Sequence, residues 1–210
     1  MKNIFKNLFL LTITLVTTTS CVSDDDFEIP TIRNPFFSED FQTATPNTDL
    51  DLTGWTNFAE QGTWLWREKT YTSSGVTNGY AEFSAYGSGS AVNEVWLVTP
   101  AIDISGKSSP VLKFSVAQHH LDVDSPDNSL TAYVSTDYDG TNVLAATWTA
   151  LSGTNIPTSS VSWYEFVKST VNLTPYDGEI YIAFKFKGSG TNTTLDGAFQ
   201  IDDVKLFNEN

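Results

Sequence analysis

The chain has 210 residues, enough for one ordinary domain or two small ones, and an apolar fraction of 40% before glycine is counted, which supports a buried core and excludes wholesale disorder. Eleven Lys and Arg stand against 25 Asp and Glu, a formal net charge of −14, with the acids spread along the chain; this argues against nucleic-acid partners and against electrostatic adhesion to anionic lipid. One Cys excludes an intrachain disulfide framework and a Cys-based zinc cluster, and two His exclude a multi-histidine centre of three or more imidazoles.

Residues 1–20 carry Lys2 and Lys6, an apolar run from Leu8 to Val16, and the small polar stretch TTTS up against Cys21. That order is a secretory signal peptide, and the apolar run is about half of the ~20 residues that span a bilayer. Cys21 behind small residues resembles the lipobox of bacterial lipoproteins, although Thr18 stands where that motif usually has an aliphatic residue. The resemblance implies that Cys21 is the lipidated first residue of the mature chain; the bland alternative is an incidental Cys past an ordinary cleavage site. Asp24, Asp25 and Asp26 follow. They resemble the export signal of lipoproteins sent to the outer face of the Gram-negative outer membrane, or else form a solvated linker. Residues 21–35 are therefore read as a lipidated acidic linker, and the expected location is the outer membrane, exposed at the cell surface. Loss of Lys2 and Lys6 leaves the mature chain more acidic still. Acyl carbons at ~0.8 kcal/mol each readily hold such a chain to a membrane.

From Phe36 onward, short segments rich in Val, Ile, Phe, Tyr, Trp and Thr alternate with Gly, Ser, Asn, Asp and Pro clusters, the signature of an all-β sandwich or barrel. No repeat or linker divides this stretch, so residues 36–210 are expected to form one domain of about ten strands. SEDFQ near its start is strand-like with Glu39 and Asp40 inside it. In TWLWREK, Trp64 and Trp66 share a parity, so two indoles either fill the core or line a surface. Trp55, Trp96, Trp148 and Trp163 sit beside apolar neighbours and are expected in the core. PVLKFSVAQ turns Leu112, Phe114 and Val116 inward, SLTAYVST turns Leu130, Ala132 and Val134 inward, and EIYIAFKFK does the same with Ile180, Ile182, Phe184 and Phe186. Tyr133 and Tyr181 fall on the opposite, polar parity and are candidate exposed rings. In the last segment, FQIDDVKLF, Phe199 and Ile201 share one parity, Val204 and Leu206 the other. All four reach a core only if the strand bulges at Asp202 and Asp203.

Four phrases, NEVWLVTPAIDIS, LTAYVSTDYDGT, VNLTPYDGEIYIAFKFKGSG and FQIDDVKLF, in that order resemble the choice-of-anchor J domain, which is similar to cleaved-adhesin and MAM modules. The resemblance spans nearly all of 36–208. It implies a jelly-roll β-sandwich of two antiparallel sheets, found in secreted or anchored surface proteins and usually a non-catalytic binding module. Related modules often hold a structural calcium between the first and last strands. Carried over to this chain, that implies Glu39, Asp40, Asp202 and Asp203 as the metal ligands, with Gln42 standing where relatives often have Glu. Carboxylates and carbonyls at bulged strand ends suit the six to eight hard oxygens that calcium takes; acids solvated at a sandwich edge are the alternative.

Other chemistry finds little footing. Gly106-Lys107-Ser108 imitates the end of a phosphate loop, but Ala101 stands where that motif needs Gly and Pro110 breaks the helix that should follow. His119 and His120 lead into a loop with Asp122, Asp124 and Asp127; neighbours on a strand point to opposite faces, so both imidazoles reach one ion only if the strand ends between them, and the favoured reading is a solvated strand end. No nucleophile elbow, zincin helix or dinucleotide fingerprint occurs. The aromatic residues are the remaining functional candidates: Trp64, Trp66, Tyr133 and Tyr181 as ring surfaces for the apolar face of a sugar. The expected function is a non-catalytic surface lipoprotein that binds extracellular glycan or a surface protein. The alternatives are an accessory or structural subunit of an outer-membrane uptake or adhesion assembly, and thirdly a glycan hydrolase.

Overall fold

The alternating apolar positions become the inner faces of two antiparallel sheets in the computed structural model, which describes residues 33–209. The signal segment, Cys21 and most of the acidic linker lie outside the described residues. Twelve strands follow in order: β1 (Phe37–Glu39), β2 (Thr56–Gln61), β3 (Arg67–Ser73), β4 (Val76–Ser84), β5 (Asn93–Val98), β6 (Ile102–Asp103), β7 (Pro110–His119), β8 (Ser129–Ser135), β9 (Thr149–Ala150), β10 (Val167–Asn172), β11 (Glu179–Gly188) and β12 (Ala198–Asn208). One sheet runs β10-β7-β12-β4-β3 with β1 also on β12; the other runs β2-β5-β11-β8-β9 with β6 also on β11. Apart from the consecutive pairs β3-β4 and β8-β9, neighbouring strands are non-consecutive in sequence, which makes this a jelly-roll β-sandwich rather than a meander. No described helix is long and apolar enough to cross a membrane.

The core lies between the sheets. Ile180, Ile182, Phe184 and Phe186 of β11 are fully buried and meet the other sheet in ring contacts: Phe114 against Phe184 at 5.1 Å, Phe83 against Phe186 at 4.5 Å. Burial of each such side chain contributes roughly 1.5–3 kcal/mol. Trp66, placed by its parity on the same face as Trp64, is 0% exposed, with its indole Nε1–H donating to Val95 O across the sandwich at 3.2 Å. Residues 64–66 precede β3, so strand alternation does not govern where their side chains point. The side chain of Asn57, not a neighbouring strand, holds the backbone of Trp66, by N–H to Oδ1 at 3.0 Å and Nδ2 to C=O at 2.8 Å.

The bulge in the last strand is present. β12 pairs with β7 throughout, but its register against β7 shifts between Asp202 and Lys205, and Asp203 has φ 53°. One added residue restores the alternation, so Phe199, Ile201, Val204 and Leu206 are all buried. On its other side β12 pairs with β4 up to Ile201 and with β1 from Val204, so the bulge marks the hand-over between partners. Gly79 of β4 lies where this happens; a Cβ there would sit 2.0 Å from the carbonyl oxygen of Phe41, so the chain after β1 crosses β4 only because that residue has no side chain.

Trp163 departs from the expected core position and is 51% exposed. Gln118, wholly buried at the end of β7, ties down the loop before β10: its Nε2 donates to Val161 O at 2.6 Å, and its backbone carbonyl accepts from Tyr164 N at 2.8 Å. The chain reverses there, with φ 63° at Tyr164, and apolar neighbours in sequence do not become neighbours in space. Trp96 is buried, while Trp55 and Trp148 are half-buried against the cores.

Candidate functional site

Strand alternation sends one set of side chains from the first sheet outward. From β4 these are Asn78, Tyr80, Glu82 and Ser84; the register sets Tyr71, Lys69 and Arg67 of β3 beside the first three, and Gln200 of β12 beside Glu82. The six residue steps from Asn78 to Ser84 make this line about 20 Å long. The loop bearing Tyr164 and the adjoining Phe166 rises along one side. Together Tyr71, Asn78, Tyr80, Tyr164, Phe166 and Gln200 enclose a groove of about 710 Å³, within the range of small-ligand clefts. Two further concavities continue past it. One, of 210 Å³, is lined by Trp64, Lys69, Glu82 and Tyr86; the other, of 510 Å³, by Tyr86, His119, His120 and Asp122.

The floor is polar and internally bonded. Glu82 accepts from Gln200 Nε2 at 2.8 Å, lies 3.3 Å from His119 Nε2 and 3.8 Å from Lys69 Nζ. Its burial opposes ionisation, yet these partners outweigh it and hold the carboxyl below the usual range. Tyr80 is pushed up to about 12 by burial and by the Glu82 charge beside it, so its hydroxyl stays a donor. Tyr80 meets Phe166 edge-on at 6.3 Å, and Tyr164 stacks on His119 at 4.8 Å. Among the described residues, five of the six exposed large aromatic side chains, Trp64, Tyr71, Tyr86, Trp163 and Tyr164, belong to this groove or its rim. The surface therefore offers ring faces above a row of fixed amide and carboxylate groups.

Of the aromatics singled out in the sequence, only Trp64 is at this site. Trp66 is in the core and touches no solvent. Tyr133 and Tyr181 lie half-buried on the outer face of the second sheet, in a separate cluster with Trp96, Tyr138 and Trp148. Tyr133 packs on Trp96 at 5.4 Å and Tyr181 meets Tyr138 edge-on at 4.9 Å, while Lys185 covers Trp96 and pairs with Glu60 and Glu94. The residues that parity reasoning overlooked are Tyr71, Tyr80, Tyr164, Phe166 and Gln200. Tyr71 and Tyr80 carried a readable signal, since both share the polar parity of Lys69 and Glu82. The loop residues carried none.

The four carboxylates implied as calcium ligands are drawn to different donors. Glu39 accepts from Phe41 N at 2.7 Å, Asp40 from Gln42 N at 3.2 Å, Asp202 from Asn78 Nδ2 at 2.8 Å and Asp203 N at 2.6 Å, and Asp203 pairs with Lys205 at 2.5 Å. Gln42 Nε2 in turn donates to Asn78 Oδ1 at 2.9 Å, so amide donors occupy the space between β1, β4 and β12. Among the described residues no group of three or more His, Cys, Asp or Glu is placed to hold a metal. As arranged, these residues do not fit the oxygen cage that calcium takes.

No family model matches the sequence, and no curated protein matches it. Solved structures do. The chain is similar to two cleaved adhesin domains of Lys-gingipain, one described from Porphyromonas gingivalis W83, at 19% and 15% identity with TM-scores of 0.51 and 0.52; each match covers 83% of this chain and 98% of the other. A xylan-binding CBM22-2 domain from Paenibacillus barcinonensis is similar at 10% identity and a TM-score of 0.47, covering 82% and 99%. At these identities the likeness shows the fold, a β-sandwich shared with adhesin domains.

Proposed function

We propose that this protein is a non-catalytic, surface-exposed lipoprotein of the choice-of-anchor J type, held to the outer membrane through Cys21, whose groove on the first sheet binds a neutral extracellular glycan. The observation that carries the reading is the collection of exposed rings over a hydrogen-bonded polar floor. Apolar ring faces suit the C–H faces of pyranose sugars, and Gln200, Asn78 and Glu82 suit their hydroxyls. The kinship in fold with adhesin domains is compatible with an extracellular binding role.

The test is a neutral-glycan array at ~0.15 M salt. A hit is expected to weaken in Tyr71→Ala and Tyr164→Ala and to survive in Tyr133→Ala and Tyr181→Ala, which change the other sheet. Absence of any hit, or hits lost equally in all four variants, contradicts the groove; release of reducing sugar from a bound glycan contradicts the non-catalytic reading. Cys21→Ala is expected to move the protein from the membrane to the soluble fraction, and unchanged membrane association overturns the anchor.

A further inference from the structure

At the far end of the groove the two histidines meet in a way their sequence positions do not require. β7 ends at His119, and His120 takes the left-handed conformation, φ 54°. The alternation that sends adjacent side chains to opposite faces is broken there, and His119 Nδ1 and His120 Nδ1 stand 2.8 Å apart. Two nitrogens at that distance cannot both carry a proton; one lone pair must face the other ring. The assignment follows from the surroundings. His119 Nε2 lies 3.3 Å from the Glu82 carboxylate, which accepts its proton, so the lone pair of His119 is on Nδ1. Glu82 is itself held by Gln200 and Lys69.

A carboxylate that accepts the proton of one imidazole nitrogen is how proteins orient histidine metal ligands, and here the other nitrogen faces a second imidazole. Both rings are also backed by aromatic walls: His119 by Tyr164 at 4.8 Å and His120 by Trp163 at 4.0 Å. Metal–nitrogen bonds of about 2.0–2.1 Å place two neighbouring ligands on one ion about 2.9–3.3 Å apart, so the nitrogens need to separate by only a few tenths of an ångström while the rings turn until both lone pairs leave the line between them and meet.

We propose that His119 and His120 chelate one divalent transition-metal ion through their Nδ1 atoms, copper(II) most tightly. The ion replaces the shared proton but sits to one side of the line joining the two nitrogens, where both lone pairs converge on it. His120, which is exposed, keeps its single proton by carrying it on Nε2 instead of Nδ1, so binding changes neither the proton count nor the charge of the two rings. No third His, Cys, Asp or Glu completes a cluster among the described residues; solvent fills the other positions. The imidazole set selects borderline metals over calcium and magnesium, with affinity rising to copper and falling back at zinc. This site is independent of whether the groove binds glycan.

The test uses the full chain, stripped of metal and titrated with copper(II), nickel(II) and zinc(II) chlorides. Quenching of tryptophan fluorescence follows copper, and electron paramagnetic resonance counts the imidazole nitrogens bound to it. Expected are one copper per chain with two imidazole nitrogens, binding in the order copper above nickel and zinc, and only one such nitrogen in His119→Gln or His120→Asn. Each loss should weaken binding on the order of tenfold or more, and Glu82→Gln, which removes the positioning carboxylate, about 10–100-fold with both nitrogens retained. Circular dichroism confirms folding. Should His119→Gln fail to fold, His120→Asn decides the matter alone, since Asn tolerates the left-handed conformation. Absence of copper binding, or two imidazole nitrogens retained in a folded variant lacking either histidine, overturns the proposal.

Discussion

Trp64 and Trp66 are two residues apart and occupy opposite worlds: one is 38% exposed at the groove and the other is sealed between the sheets. Their fates predict different losses. Trp66→Ala empties a core site and is expected to cost about 3–5 kcal/mol in urea denaturation. Tyr71→Ala, at a side chain 66% exposed, is expected to leave stability within about 0.5 kcal/mol while weakening glycan binding about tenfold, or ~1.4 kcal/mol, by titration calorimetry. If Tyr71→Ala destabilised the fold as strongly as Trp66→Ala, its ring would be structural rather than a ligand platform. The parity of Tyr71 and Tyr80 with Lys69 and Glu82 made their exposure legible in the sequence; the burial of Trp66 was not, because Asn57 binds its backbone where a strand pattern was assumed.

β12 concentrates the effects that belong to an element. Its bulge was legible, since four apolar residues of split parity leave no other way to bury all four. What the bulge does to its carboxylates was not. Asp202 is pushed up to about 6 by burial, against the hydrogen bonds from Asn78 and Asp203 N–H. A folded value above the unfolded one of ~3.9 means that the folded chain holds this proton more firmly. The stability it confers is complete below about pH 4 and is lost as pH rises through about 6. Asp202→Asn removes that ionisation. Its stability relative to the parent is therefore expected to rise between about pH 4 and pH 7, by on the order of 2–3 kcal/mol, and parallel profiles from urea melts at stepped pH would refute the assignment. For calcium, the amide and ammonium donors around Glu39, Asp40, Asp202 and Asp203 predict a melting temperature indifferent to chelator. A chelator-induced drop that Asp203→Ala abolishes would restore calcium to this edge.

For the molecule as a whole, the formal charge of −14 sets which partners approach it. A neutral glycan held by rings and hydrogen bonds is expected to bind equally from ~0.05 to ~0.5 M salt, whereas a basic protein surface would be released as exposed charges are screened. Surface plasmon resonance across that salt range separates the two, and tight binding of a heparin-like polyanion at either end would contradict the electrostatic argument.

The sequence by itself determined the fold class, the inward faces of β7, β8 and β11, the bulge in β12, and the acidic character of the chain. These are local properties: alternation and charge are read within one segment, and their physical causes act within it. The groove and the histidine pair were decided only by tertiary structure. Asn78 and Asp202 are 124 positions apart, Gln200 and Glu82 118, and His119 and Glu82 37. The register that joins them follows from how two sheets bury a shared core, which no single segment specifies. Even the adjacent histidines needed it, because the turn that brings their Nδ1 atoms together lies where β7 ends against Gln118 and the loop that Gln118 holds.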